Sequence, residues 1–168
     1  MMAKNTSPIT YINNIFFFIC MPTIAKDTPL AEITLRKYEK PSPEYTRREL
    51  ARKVCLSMGL LQPGDSRDIV VDVLQAVIDN KKAMSAEEII EKAVALRKNA
   101  NLAMTGVASS NIRRQIKRLK DIYFIEKAGE GYRLAENEEL VSIFEHKIQK
   151  FILPSITERI KEYLKALK

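Results

Sequence analysis

"SSNIRRQIKRLKDIYFIEKAGEGYRL", residues 109–134, is a stretch in which a strongly basic segment is followed at once by a β-prone one. Five of the eight residues from 113 to 120 are Lys or Arg. Ile112, Ile116 and Leu119 recur at spacings of four and three residues, which predicts an α-helix with one buried apolar seam. The runs "IYFIEK" and "GYRL" predict two short strands, because β-branched and aromatic residues favour strands and the intervening "AGEG" favours a tight turn. We therefore expect a basic helix followed directly by a β-hairpin.

The geometry of a helix places these basic side chains away from the seam. Successive side chains are about 100° apart around the axis, so the remaining positions divide into a far side and two flanks. Ser110, Arg114, Lys117 and Asp121 lie on the far side, Asn111 and Arg118 on one flank, and Arg113 and Lys120 on the other. Asp121 is the only acid beside the five bases, so their mutual repulsion favours an anionic partner. A solvated surface helix without a ligand is the alternative.

The overall composition favours the same class of partner. The chain has 28 Lys and Arg against 21 Asp and Glu, which gives a net charge of +7 and a pI of about 9.4. This balance favours a polyanion such as nucleic acid. A length of 168 residues with 46% hydrophobic content is enough for one domain with its own core.

Helix-start patterns organise the residues that precede the basic helix. Thr46 with Glu49, and Ser85 with Glu88, have the spacing of a capping box, so we expect a helix to begin at each pair. Gly59 ends the first of these helices. Between them, "IVVDVLQAVIDN" repeats apolar residues in adjacent stripes over three turns, which predicts a further helix. The first helix also carries four bases, interpreted as a solvated face with a second phosphate contact as the alternative: Arg47, Arg48, Arg52 and Lys53.

The order of these elements, helix, helix, basic helix and hairpin, resembles a winged helix-turn-helix domain over residues 66–135. The residues that carry the resemblance to bacterial and archaeal transcriptional regulators are Ile112, Ile116 and Leu119, then Phe124-Ile125-Glu126-Lys127, a turn at Gly129 and Gly131 whose glycines can take positive φ, and Tyr132-Arg133-Leu134. One departure is the connection "KNANLAMTG", residues 98–106, which is longer than in many members of the family. The resemblance implies a mainly α fold with a small β-hairpin, in which a winged helix-turn-helix core carries extra N-terminal and C-terminal helices.

The resemblance also implies a function, namely sequence-specific binding of double-stranded DNA by a transcriptional regulator. The basic helix would enter the major groove, with Ser110, Asn111, Arg114 and Lys117 nearest the base edges. Arg113 and Arg118 would hold phosphates, and Lys127 with Arg133 would anchor the hairpin, or wing, on the backbone or in the minor groove. The alternative is a winged helix that serves as a protein- or RNA-interaction module in a larger assembly. The outward bases on the helix that would enter DNA favour nucleic acid.

The sequence lacks the residue patterns that catalysis or metal binding requires. It contains no phosphate-binding GxxxxGK[ST] loop and no GxSxG nucleophile elbow, so we expect no enzyme activity and no catalytic residue. Cys20 and Cys55 lie far apart and His146 is the only histidine, so we expect no metal site, no cofactor and no disulfide framework. Cys55, beside the apolar stripe of its helix, is interpreted as a small buried residue.

The N-terminal residues 11–21, "YINNIFFFICM", form an apolar run that is too short to cross a bilayer. Only Lys4 supplies the basic region of a signal peptide, and no cleavage pattern follows the run. We interpret residues 1–20 as a misassigned extension with translation starting at Met21. We therefore expect a cytoplasmic protein with no membrane partner.

The chain divides into three parts: residues 1–44 as an N-terminal extension and linker, 45–135 as the winged-helix domain with its preceding helix, and 136–168 as a C-terminal helical arm. In the arm, apolar residues recur at helical spacing on both sides of Pro154, which predicts two amphipathic helices. Their apolar faces either pack back on the domain or pair with a second subunit. We expect a homodimer through these helices, because regulators that read two half-sites bind as dimers.

Overall fold

The structure, a computed structural model, describes residues 27–167. Four helices and a hairpin come first: α1 Arg47–Ser57, α2 Ile69–Ile78, α3 Ala86–Asn99, α4 Ser109–Asp121, β1 Ile125–Ala128 and β2 Gly131–Leu134. After a 3-10 turn at Ala135–Asn137, the chain is helical throughout as α5 Leu140–Ile143, a π-helical segment Phe144–Ile152 and α6 Leu153–Ala166. The predicted class, mainly α with a small β-hairpin, is confirmed.

Both capping boxes form as the sequence predicts. The hydroxyl of Thr46 accepts a hydrogen bond from the backbone N–H of Glu49 at 3.2 Å, and the Glu49 carboxylate accepts from the N–H of Thr46 at 2.7 Å. Ser85 and Glu88 form the same pair of bonds at the start of α3, at 3.2 and 2.7 Å. Each pair satisfies two backbone N–H groups that a helix start would otherwise leave without partners. The predicted starts of these two helices are confirmed.

The core surrounds α2, which packs against α1, α3 and α4. Nine of the ten residues of α2 are buried, so the helix is covered on every side. Ile112 and Leu119 of α4 are fully buried and Ile116 is 2% exposed, which confirms the predicted seam. Cys55 of α1 is also fully buried, as predicted, and burial raises the pKa of its thiol to about 12. The thiol is therefore protonated at neutral pH.

The hairpin is antiparallel, with Ile125 opposite Leu134 and Ala128 opposite Gly131. Its loop consists of two residues, and Gly129 at the first position has a φ of 59°, as a type II′ turn requires. Gly131 does not have positive φ, so the expectation of two turn glycines with positive φ is wrong for this residue.

Gly131 is needed for a different reason. Met84, just before α3, pairs with Tyr132 through two backbone hydrogen bonds of 2.9 and 2.7 Å. A Cβ atom on Gly131 would lie 2.8 Å from the carbonyl oxygen of Met84, which is too close for any side chain. Glycine therefore allows the hairpin to approach the start of α3, and the two are joined by backbone pairing.

A cluster of buried charges connects three helices. Asp68 and Asp72, at the start of α2, accept hydrogen bonds from Arg97 of α3 at 2.9 and 2.8 Å. Arg48 of α1 donates to the same two carboxylates at 3.0 and 3.1 Å, and Arg52 donates to Asp68 at 2.7 Å. Burial opposes ionisation of Asp68, but the bonds from Arg97 and Arg48 outweigh it and lower the pKa of this carboxyl. The interpretation of Arg48 and Arg52 as part of a solvated face is therefore wrong.

The segment before α1 lies against the domain. The backbone N–H of Arg36 donates to the carbonyl of Ser57 at 2.8 Å, and its guanidinium donates to the carbonyls of Leu56 and Leu61 at 2.9 and 3.2 Å. These carbonyls lie at or just after the end of α1, where the helix dipole favours a cation. The interpretation of residues 1–20 as a misassigned extension concerns residues outside the described range.

The C-terminal arm is one continuous helix, so the prediction of two helices separated at Pro154 is wrong. Pro154 directly follows the end of the π-helical segment, where the N–H of Leu153 donates to the carbonyl of Ile148 five residues back, and the helix continues through it. Ile143, Ile148 and Ile152 are buried against the domain, whereas α6 has no buried residue. Within residues 27–167, no helix is both long enough and apolar enough to cross a membrane.

Replacement of Asp72 by Asn tests the buried cluster. Asp72 is fully buried, and its loss as an anion leaves Arg97 and Arg48 with only Asp68 as a counter-charge. We expect Asp72→Asn to lower the free energy of unfolding by about 3–5 kcal/mol in urea denaturation. Asp79→Asn is the matched control, because the Asp79 pair with Arg47 is exposed to water and its loss should cost less than about 1 kcal/mol. Equal effects of the two variants would contradict a structural role for the cluster.

Candidate nucleic-acid interface

The face of α4 opposite its seam is exposed and rich in hydrogen-bond donors. Ser110, Arg114 and Lys117 are exposed along this face, and they form no side-chain hydrogen bond or ion pair with the described part of the chain. Arg113 and Lys120 are exposed beside them. These five side chains therefore point away from the core, as helical geometry predicts. Their direction is fixed because the buried seam holds α4 in place.

Arg113 contacts an acidic side chain on the neighbouring helix. Its guanidinium lies 2.5 Å from the carboxylate of Glu87, in the first turn of α3, and the hydrogen bond from Arg113 lowers the pKa of Glu87. Both side chains are at least half exposed. Exposed ion pairs of this kind contribute about 0–1 kcal/mol to the stability of the fold. Arg113 can therefore exchange Glu87 for another anion at little cost in free energy.

One flank of α4 is occupied by a chain of internal hydrogen bonds. The Asn111 amide donates to the carbonyl of Gly106 at 2.7 Å, and Gln115 donates to Asn111 at 3.0 Å. Arg118 donates to Gln115 at 2.8 Å and to the carbonyl of Gly59, beyond the end of α1, at 3.3 Å. This relay joins the loop before α4 to the end of α1. Asn111 and Arg118 are half-buried and have structural partners.

Gln115 is a site residue that the sequence analysis missed. Its side chain is buried at the middle of the relay, where it donates a hydrogen bond to Asn111 and accepts one from Arg118. Residues four and three positions apart share one side of a helix, so Asn111, Gln115 and Arg118 form a polar row beside the seam. The spacing in the sequence indicates that the three side chains share one side of the helix, but it does not show whether that side is buried or solvated.

The hairpin has fewer available cations than the sequence suggests. Lys127 is exposed, but Arg133 is half-buried and pairs with Glu126 at 2.8 Å. Glu126 and Arg133 are directly opposite in the register of the hairpin, where opposite charges stabilise the pairing of strands. Glu130 places an acid in the turn. Lys127 is therefore the more accessible of the two cations predicted on the wing.

The end of α4 fixes where the hairpin begins. The N–H of Tyr123 bonds to the carbonyl of Lys120 at 2.9 Å, and the N–H of Phe124 bonds to that of Leu119 at 3.0 Å, which is the pattern of a Schellman cap. Tyr123 has a φ of 63°, a conformation that costs a residue with a side chain about 1–3 kcal/mol. Phe124 is buried directly after it. The strained cap thus turns the chain abruptly from α4 into β1.

The chain matches no protein-family model, no curated protein and no solved structure. In the part of the chain that the structure describes, no group of three His, Cys, Asp or Glu side chains is placed to hold a metal ion. Apart from the Asp121 carboxylate at the end of the helix, the exposed polar groups on α4 are guanidinium, ammonium and hydroxyl groups, of which the first two only donate hydrogen bonds. A ligand that fits this face therefore presents acceptors and negative charge.

Removal of the Gln115 side chain tests the relay. Gln115→Ala leaves the Asn111 oxygen and one Arg118 donor without their partner in a half-buried environment. We expect the free energy of unfolding to fall by about 1–3 kcal/mol in urea denaturation. Lys117→Ala, on the exposed face of the same helix, should change it by no more than about 0.5 kcal/mol. If both variants unfold alike, the relay does not hold α4.

Proposed function

We propose that this chain is a sequence-specific double-stranded DNA-binding protein that regulates transcription, and that it does so through a winged helix-turn-helix arrangement. The observation that carries the proposal is the division of α4 into a buried apolar seam and an exposed basic face. Five bases share that helix with Asp121 as its one acid. A duplex supplies the closely spaced phosphates that relieve their repulsion.

The dimensions of α4 suit the major groove of B-form DNA. A helix with its side chains is about 10–12 Å across, and the groove is about 12 Å wide. Ser110, Arg114 and Lys117 follow one another at spacings of four and three, so they form one row along the exposed face. In the proposed complex this row faces the base edges, and Arg114 suits the two acceptors of a guanine.

In the proposed complex, the side chains around this row contact the phosphates. Arg113 and Lys120 flank it on α4, and Lys127 extends the basic surface onto the hairpin, which acts as the wing. Arg133 contributes there if it leaves Glu126. Asn111 and Arg118 are omitted from the proposed contacts because their polar atoms are hydrogen-bonded within the fold.

Two backbone features support a rigid wing. The pairing of Met84 with Tyr132 ties the start of α3 to the hairpin, and the cap at Tyr123 ties the hairpin to the end of α4. The basic helix and the hairpin therefore move together. Preorganised surfaces of this kind bind with a smaller loss of conformational entropy.

Salt dependence tests the binding mode directly. For each phosphate contacted, the slope of log affinity against log salt concentration should be about −0.9, and Arg113→Ala should flatten that slope by about one unit. Lys165→Ala on α6 removes the same charge away from α4 and should leave the slope unchanged. Fluorescence anisotropy with a labelled duplex gives these slopes. Binding that does not depend on salt, or no binding at low salt, would contradict the proposal.

An RNA duplex of the same length distinguishes the alternative of an RNA-interaction module. The major groove of A-form RNA is too narrow for side chains on a helix to read, so we expect weaker binding to RNA than to DNA. Equal or tighter binding to the RNA duplex would favour the alternative.

Arg114 should determine the preference for one base pair. After selection of a preferred site from random duplexes, Arg114→Ala should lose about 1–3 kcal/mol of discrimination at a single position, with a smaller effect on random DNA. Lys120→Ala is the control and should weaken binding to both kinds of DNA equally. If Arg114→Ala behaves like Lys120→Ala, Arg114 contacts phosphate and not a base.

A further inference from the structure

The last helix of the chain extends beyond the domain with an apolar face uncovered. Ile156 is the last residue that packs against the core, and α6 has no buried residue. Four large apolar side chains follow: Ile160 is 52% exposed, Tyr163 68%, Leu164 58% and Leu167 81%. An amphipathic helix normally buries such a stripe, so this face is suited to a partner.

The spacing of these side chains identifies the shape of the partner. Leu153, Ile156, Ile160, Tyr163 and Leu167 follow one another at intervals of three, four, three and four residues. This is the a and d repeat of a heptad, whose side chains insert between those of a facing helix. We call these five residues the α6 seam. Ile156 packs against the core, so the part of the seam that is open to a second helix runs from Ile160 to Leu167.

The charges around the α6 seam indicate which charges a partner helix would need beside its own apolar residues. The positions that flank the seam on either side are Thr157, Arg159, Leu164 and Ala166, of which only one is charged. Two ion pairs form within the helix, Arg159 with Glu162 at 2.8 Å and Lys161 with Glu158 at 3.5 Å, and Lys165 is the one further charge of α6. A helix that selects an oppositely charged partner carries flanking charges of one sign, and this one does not.

We propose that the α6 seam binds the α6 seam of a second copy of this chain, as a two-stranded coiled coil. A second copy offers a helix with the same spacing and the same nearly uncharged flanks, and a two-fold axis lets each seam bury the other. The open part of the seam, from Ile160 to Leu167, corresponds to about 12 Å of helix, so the contact lies at the lower end of protein interfaces, below about 1,200 Å² in total. A contact of this size is weak, so we expect the dimer to dissociate on dilution.

Sedimentation equilibrium of the full chain tests the pairing without DNA. Between about 1 and about 200 µM, the wild type should shift from the mass of one chain to that of two. Ile160→Asp should remain monomeric over the same range, because it places a carboxylate at the centre of the seam. Tyr163→Leu should tighten the dimer several-fold, because leucine is favoured at this heptad position.

Phe151→Asp is the matched control, because Phe151 is 67% exposed on the same continuous helix. It precedes Leu153 by two residues and so points to the opposite side of the helix. This variant should dimerise like the wild type. Circular dichroism should give the same melting transition for the domain in all variants, because none of the changed residues is buried.

Several results would overturn the proposal. The first is a wild type that remains monomeric up to the highest concentration, and the second is an assembly larger than two chains. The third is an Ile160→Asp variant that dimerises like the wild type, which would locate the contact elsewhere. Because none of these measurements involves DNA, failure of the pairing is distinct from failure of the proposed function.

Discussion

Burial of one side of α4 against the core determines where every cation on that helix points. Ile112 and Leu119 are fully buried and Ile116 nearly so, and each such side chain stabilises the fold by about 1.5–3 kcal/mol. Rotation of α4 by a single residue, about 100°, would expose part of the seam and move bases toward the core, where an unpaired charge is far more costly. The basic face is therefore a consequence of the seam.

Charged groups, and not only apolar ones, hold the frame around α4. The cluster of Arg48, Asp72 and Arg97 joins α1, α2 and α3, and Arg97 also donates to the carbonyl of Ala103, at 2.6 Å, in the connection that leads to α4. Gln115 and its neighbours then join α4 to the end of α1. Removal of any one partner leaves a buried polar group unsatisfied, so these contacts specify one arrangement of the four helices.

The features that the sequence predicted correctly are those encoded by neighbouring residues. Both capping boxes, the seam of α4 and the position of the hairpin follow from spacings of two to four residues or from a short turn. The Arg–Asp cluster and the role of Gly131 were not predictable, since their partners are far apart in the chain and meet only in the folded state. The internal partners of Asn111 and Arg118 could not be predicted either, because a flank of a helix is buried or exposed according to what packs beside it. A proline after an apolar helical pattern predicts the end of a helix, whereas here Pro154 lies where the π-helical segment changes to α6 and the helix continues.

The central claim is that the exposed face of α4, together with the hairpin, is the surface that binds duplex DNA. Titration of the isotopically labelled full chain with a duplex, followed by backbone amide and Arg side-chain NMR signals, maps that surface residue by residue. The account predicts the largest shifts along Ser110, Arg114 and Lys117, smaller shifts at Lys127, and little change in α6. Shifts confined to other surfaces, with α4 and the hairpin unchanged at saturation, would contradict it.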